Sequence, residues 1–196
     1  KENTLEKAVQ EAELKALNAN LFVVVAFRML PEVVWKMPKF GTFNLHASLL
    51  PQYRGAAPIN WAIINGEEKT GVTTFFIDDK IDTGAMILQS EITISKNETA
   101  GELHDRLMNL GCTTVLESLD LIENEKAEPK QQDDSLISKT AYKLNKDNCK
   151  IDWNKTGNEI HNHIRGLSPY PAAWTFFKDG EQEWNVKIYE AEFKLE

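Results

Sequence analysis

Between residues 2 and 18, apolar side chains recur at Leu5, Ala8, Val9, Ala12, Leu14 and Leu17, close to helical spacing. Asn18-Ala19-Asn20 then breaks the pattern. LFVVVAF at 21–27 is a continuous β-branched and aromatic run, which predicts a central parallel strand covered on both faces. Pro31 opens a short helix, PEVVWKM, and TFNLHAS at 42–48 reads as a second strand. PINWAIIN at 58–65 predicts a helix with Pro at its start and Gly66 just past its end. GVTTFFID at 71–78 is a third strand. AMILQSEITI at 85–94 is a fourth, whose polar interruptions suit an edge or a hairpin. From Thr99 to Glu123 a long amphipathic helix is expected, with Leu103, Leu107, Leu110, Val115, Leu116 and Leu119 on its buried side. The order αβαβαββα predicts an α/β fold: a Rossmann-like half with a mainly parallel sheet and an antiparallel excursion.

After this helix the pattern changes. ENEKAEPKQQDDS carries few large apolar residues and reads as a linker or surface loop. A new helix follows IDW at 151–153. AAWTFFK, the turn KDGE and EWNVKIYEAEF then predict a β-hairpin. We therefore expect a core at 1–127, a linker at 128–150 and the start of a β-rich domain at 151–196. The chain opens on Lys1 rather than Met and stops straight after a strand-like run, so we expect a piece of a longer protein.

Composition narrows the function classes. The chain is 42% hydrophobic, enough for a packed core, yet no apolar run reaches the length of a membrane span. With no apolar signal region either, a cytoplasmic location is the default expectation. The net charge of −8 is uneven: residues 91–134 hold 4 basic and 11 acidic groups, whereas 1–90 hold 9 and 10. No basic face is evident, so any hold on nucleic acid must lie in a local patch or in sequence not shown. Cys112 and Cys149 stand far apart without a CxxC pair, which predicts ordinary free thiols rather than a disulfide or zinc site. His161 and His163 face different ways on their helix and His104 has no apparent partner, so no metal is expected.

The densest chemistry lies in FNLHASLLPQYRGAAP, residues 43–58. Asn44 and His46 are two apart on a strand and share one face. At the end of a parallel strand in an open α/β sheet, that face opens toward the ligand crevice. Ser48-Leu49-Leu50-Pro51 makes a stiff turn whose backbone groups could bond a flat polar ring. Asp82, in DDKIDTG, lies in an interstrand loop that can present a carboxylate. These residues alone leave a structural reading ahead, because an N-x-H strand end and an Asp-Thr-Gly turn are each common. Tyr53, Arg54 and Trp61 admit two readings: a stacking or phosphate-facing lip for an RNA end, or packing against the sheet, favoured for Trp61.

In order, the motifs are Asn44-x-His46, Ser48 to Pro51, Arg54-Gly55 with Pro58, and Asp82-Thr83-Gly84. This series resembles the formyltransferases that use 10-formyltetrahydrofolate. The resemblance is strongest over residues 21–90. It continues in KIDW at 150–153 and IRGLSPYPAAW at 164–174, a tract similar to the family's linker and entry to its C-terminal barrel. It implies a Rossmann-like formyltransferase core followed by the start of an OB-like β-barrel. It also implies Asn44, His46 and Asp82 as catalytic residues, and a folate site drawing on Phe27, Met29, Ser48, Leu49, Leu50, Pro51, Asp78 and Ile81. The tract RGAAPINWAIINGEEKTGVTT is most similar to members that formylate initiator methionyl-tRNA, which implies that acceptor and a monomeric enzyme. The alternatives are a relative acting on an amino-sugar nucleotide, a formyl-folate hydrolase, or an inactive binding module. Two departures stand out: Ala85 follows the Asp-Thr-Gly where many relatives carry an acid, and Phe27 to Pro31 replaces a Tyr-Gly pair.

Overall fold

The computed structural model describes residues 4–25 and 30–194. Helix α1 (Thr4–Ala16) ends before Asn18, which takes a left-handed φ of 48°. Strand β1 (Phe22–Val25), helix α2 (Glu32–Trp35) and strand β2 (Thr42–His46) follow. A two-residue strand β3 (Arg54–Gly55), helix α3 (Pro58–Ile64) and strands β4 (Lys69–Phe76) and β5 (Met86–Thr93) complete the sheet region. Its long helix is α4 (Ala100–Glu123). The main sheet runs β1-β2-β4-β5. β1 and β2 are parallel, whereas β4 and β5 form the antiparallel excursion, a hairpin with β5 at the edge. Among the described residues no helix is long and apolar enough to cross a membrane.

Two expectations need correction. β1 is not covered on both faces: Val23 is 42% and Val25 57% exposed, and β1 is an edge of the sheet as described. Leu116, expected on the buried side of α4, is 66% exposed. The buried stripe of the second half of α4 runs instead through Gly111, Thr114 and Ser118. Small residues let the helix lie close on the sheet: Leu45 packs where a Gly111 side chain would stand. Polar ones bond to it, Thr114 donating to Ser90 at 2.8 Å and Ser118 pairing with Thr74 at 2.6 Å. A search for large apolar residues overlooks such a contact face. Phe27 and Met29 lie outside the described residues.

The core has two larger centres and a small one at Tyr53, Ala62 and Ala141. Ile63, Val72, Ala100, Leu103 and Leu107 pack between α3, α4 and the sheet, near the fully buried Phe43 and Phe75. Each such aromatic side chain contributes about 1.5–3 kcal/mol by leaving water. The second centre comprises Cys149, Ile151, Ile164, Leu167, Ala173 and Trp174. It lies around α5 (Gly157–Leu167) and the hairpin β7 (Ala173–Asp179) and β8 (Gln182–Ile188), turned at Gly180 with φ +62°. α5 joins the two larger centres. Asn60 on α3 donates to the Gly166 carbonyl at 2.8 Å, and buried Arg165 donates to the Glu98 carbonyl at 2.9 Å.

The 128–150 segment is laid along the core. Lys130 bridges to Met86, and β6 (Thr140–Ala141) pairs in parallel with β3. Gln52 accepts from the backbone N–H groups of Ser138 and Lys139 at 3.0 and 3.1 Å, which pins the segment between.

Two residues lend themselves to stability tests. Thr99 caps α4 reciprocally with Glu102, its hydroxyl accepting from the Glu102 N–H and the Glu102 carboxylate accepting from the Thr99 N–H. Thr99→Ala should lower unfolding stability by about 0.5–2 kcal/mol in urea titration. Burial pushes the His163 imidazole below its ordinary range, opposed by a main-chain hydrogen bond to Cys149. Because its folded pKa is depressed, the unfolded chain takes up that proton more readily. Stability should therefore fall as pH drops below about 6.5, the unfolded value, and His163→Gln should flatten that dependence in thermal melts.

Candidate active site

Asn44 and His46 occupy alternate positions at the end of β2, and both are buried, at 4% and 7% exposure. Beyond them the chain turns through Ser48–Pro51 and returns as β3. Tyr53 and Gly55 there both adopt positive φ, 59° and 122°. This kink aims two backbone groups inward. The Tyr53 carbonyl accepts from His46 Nε2 at 2.8 Å. The Gly55 N–H donates to Asp82 Oδ2 at 2.9 Å. A carbonyl has no hydrogen to give, so Nε2 must carry the ring proton there. Nδ1 is thereby turned toward Asp82 Oδ2, 3.8 Å away. That is too long for a direct hydrogen bond, and leaves a proton-accepting nitrogen beside a carboxylate.

Asp82 itself takes a left-handed φ of 56°, uncommon for a non-glycine residue. Its loop is closed by Asp78, whose carboxylate accepts from the Thr83 hydroxyl at 2.6 Å and the Lys80 N–H at 3.0 Å. Gly84 is obligatory, because a Cβ there would fall 1.7 Å from the Phe76 carbonyl oxygen.

Asn44 differs from its neighbours. Its Oδ1 is buried without a hydrogen-bond partner. Such a group costs about 1–3 kcal/mol, so it persists only where something else requires it. Turning the carboxamide about its last bond presents either the oxygen or the N–H2 group. Asn44, His46 and Asp82 share one cavity of about 930 Å³, with Val25, Leu30 and Ile81 among its apolar walls. That volume and an apolar wall with a few convergent polar groups suit a drug-sized ligand.

The structure thus brings together Asn44, His46, Asp82, Asp78 and Ile81. It does not bring Ser48, Leu49, Leu50 and Pro51 to the cavity wall. Their groups serve the scaffold instead: the Ser48 hydroxyl donates to the Gln52 carbonyl and the Leu50 N–H to Thr73. The proposed RNA-facing lip is also spent internally. Tyr53 is buried, and burial together with Glu67 pushes its phenol up. Arg54 binds Gln132 and Asp134, and Trp61 donates to the Tyr142 carbonyl. Sequence reasoning missed His104, Met108 and Cys112 of α4 as cavity wall, although these positions lie one turn apart. It also missed the backbone roles of Tyr53 and Gly55, signalled only by a glycine after a turn.

A cavity at the strand ends of an α/β sheet, holding an amide, an imidazole and a carboxylate, defines a protein equipped for acid–base work on a polar reaction centre. Comparison with known proteins places it further. Residues 1–119 match the formyl transferase family model and residues 143–196 that of the formyl transferase C-terminal domain. The chain belongs to the formyl transferase family. It is 74% identical over 180 residues to the methionyl-tRNA formyltransferase of Flavobacterium johnsoniae, with 92% of this chain and 57% of that protein aligned. It therefore spans a little over half the length of that relative. Among solved structures it resembles an N-formyltransferase from Helicobacter canadensis in complex with folinic acid and dTDP-3-aminofucose. There the TM-score is 0.57 and the identity 35%, over 64% of this chain and 46% of the other. It also resembles a sugar 3N-formyltransferase in the presence of dTDP and 5-N-formyl-THF. That match has TM-score 0.66 and 28% identity, over 84% and 62% of the two chains.

The orphaned amide gives a direct test. Asn44→Leu removes an unpaired polar group at similar volume. Thermal melts should show unchanged or raised stability.

Proposed function

We propose that the protein containing this chain transfers a formyl group from 10-formyltetrahydrofolate to the α-amino group of initiator methionyl-tRNA. The observation that carries the reading is the orphaned Asn44 carboxamide beside the His46–Asp82 pair in one cavity. The folate part is supported by the formyl-folate ligands named for the two structural neighbours, and the acceptor by the name of the Flavobacterium relative. The same reading puts the work in the cytoplasm, where initiator tRNA is charged.

The chemistry is acyl transfer between two nitrogens. The neutral amine attacks the formyl carbon, so a C–N bond forms and negative charge collects on the formyl oxygen. The bond to the folate nitrogen then breaks, and one proton passes from the incoming to the leaving nitrogen. Asn44 donates an amide N–H to the developing oxyanion, an interaction worth about 3–4 kcal/mol when preorganised. His46 takes the amine proton at Nδ1, with Nε2–H held by the Tyr53 carbonyl, and Asp82 stabilises the resulting imidazolium. Asp78 and Ile81 would shape the wall against the pterin. Ser48 to Pro51 act at one remove, as the turn that sets β3.

In the full-length protein, His46→Ala and Asp82→Asn should each lower kcat by about 10²–10⁴-fold, with a folded protein by circular dichroism. Near wild-type turnover in either variant would overturn the assignment. The acceptor is tested by offering methionyl-tRNA beside an amino-sugar nucleotide. Formylation of the sugar alone would replace the tRNA reading with the sugar one.

A further inference from the structure

We infer that Gln132, in the segment beyond α4, is a positioning residue that holds Asp82 in place for the reaction; this rests on the function proposed above. Its carboxamide is fully engaged in one orientation. Oε1 accepts from Arg54 Nε at 3.0 Å and Nη2 at 2.7 Å. A guanidinium can only donate, so the amide oxygen must face Arg54 and the N–H2 group must face the opposite way. There it donates to the main-chain carbonyls of Asp82 and Gly84, both at 2.9 Å. One side chain thus spans the two ends of the Asp-Thr-Gly turn with both its hydrogens.

That turn needs an external hold. Asp82 adopts φ 56°, a conformation that persists in a non-glycine residue only where the surroundings impose it. The Gly55 N–H fixes its carboxylate and Gln132 fixes its backbone. Both restraints return to the same place. Arg54 and Gly55 are neighbours in β3, Arg54 is anchored further by Asp134 at 2.9 Å, and β3 pairs with β6. The segment after α4 is therefore part of the active-site scaffold, and its Gln132 reports the position of β3 to the Asp82 loop.

The test uses the full-length protein and two variants. Gln132→Glu keeps length and the acceptor for Arg54 but loses the two N–H donors; Gln132→Ala removes both. Each should lower kcat by about 10- to 100-fold, with little change in KM for either substrate and a folded protein by circular dichroism. Because Gln132 acts through Asp82, adding Gln132→Glu to Asp82→Asn should cause no further loss in kcat. A purely structural role would make the two losses multiply, which would overturn the inference, as would a Gln132→Glu enzyme with wild-type kcat. If Asp82→Asn itself kept full turnover, the catalytic assignment would be what fails. If Asp82→Asn is impaired and Gln132→Glu is not, only the role of Gln132 falls.

Discussion

The candidate site depends on a two-residue pairing. β3 meets β6 in parallel, with the Tyr53 N–H donating to the Lys139 carbonyl and the Ala56 N–H to the Ala141 carbonyl, both at 2.8 Å. Between these two bonds lie the Tyr53 carbonyl and the Gly55 N–H, which hold His46 and Asp82 respectively. Gly55 is indispensable to this arrangement. Its φ is 122°, and a Cβ would stand 2.4 Å from the Ala141 carbonyl oxygen. The imidazole and the carboxylate come from two elements far apart in sequence. A kinked strip of backbone brings them to one place.

Several local choices sacrifice stability to keep this site. Asn44 leaves an amide oxygen unpaired in the interior, although an apolar residue of the same size would fit. Tyr53 and Asp82 both sit in the left-handed region without being glycine. Such features cluster where function requires them and are offset by a firm surrounding. Here the surround is Phe43, Phe75 and Val72 within the sheet, with Leu103 and Leu107 of α4 beneath it.

Much of the fold was legible in the sequence because its signals are local. The extent of α4, the Pro58 and Gly66 boundaries of α3 and the Gly180 hairpin each depend on near neighbours, and each stands where expected. What was not legible depends on distant partners. β1 reads as a buried central strand, yet its coverage is set by whatever lies beside it. Leu116 fits the helical stripe, but Gly111, Thr114 and Ser118 win the contact because the sheet lies too close for leucine. In the site, strand alternation puts Asn44 and His46 on one face and a turn offers Asp82, but those local signals left a structural reading ahead, and only the ordered series of motifs singled the three out. Tyr53, Gly55 and Gln132 act through main chain or through contacts some fifty residues apart, and no spacing rule finds those. The polar tract after α4 looked like a linker because its apolar content is low, but its contribution is hydrogen bonds to the core.

With its carbonyl on Nε2–H, the backbone of residues 53–55 sets the working tautomer of His46. The ring nitrogen shifts of His46, measured by 15N NMR on the full-length protein at a pH where the imidazole is neutral, test this most directly. A protonated Nε2 and a bare Nδ1 are expected. A bare Nε2 with the proton on Nδ1 would contradict this assignment, since the Tyr53 carbonyl would then have no hydrogen to accept.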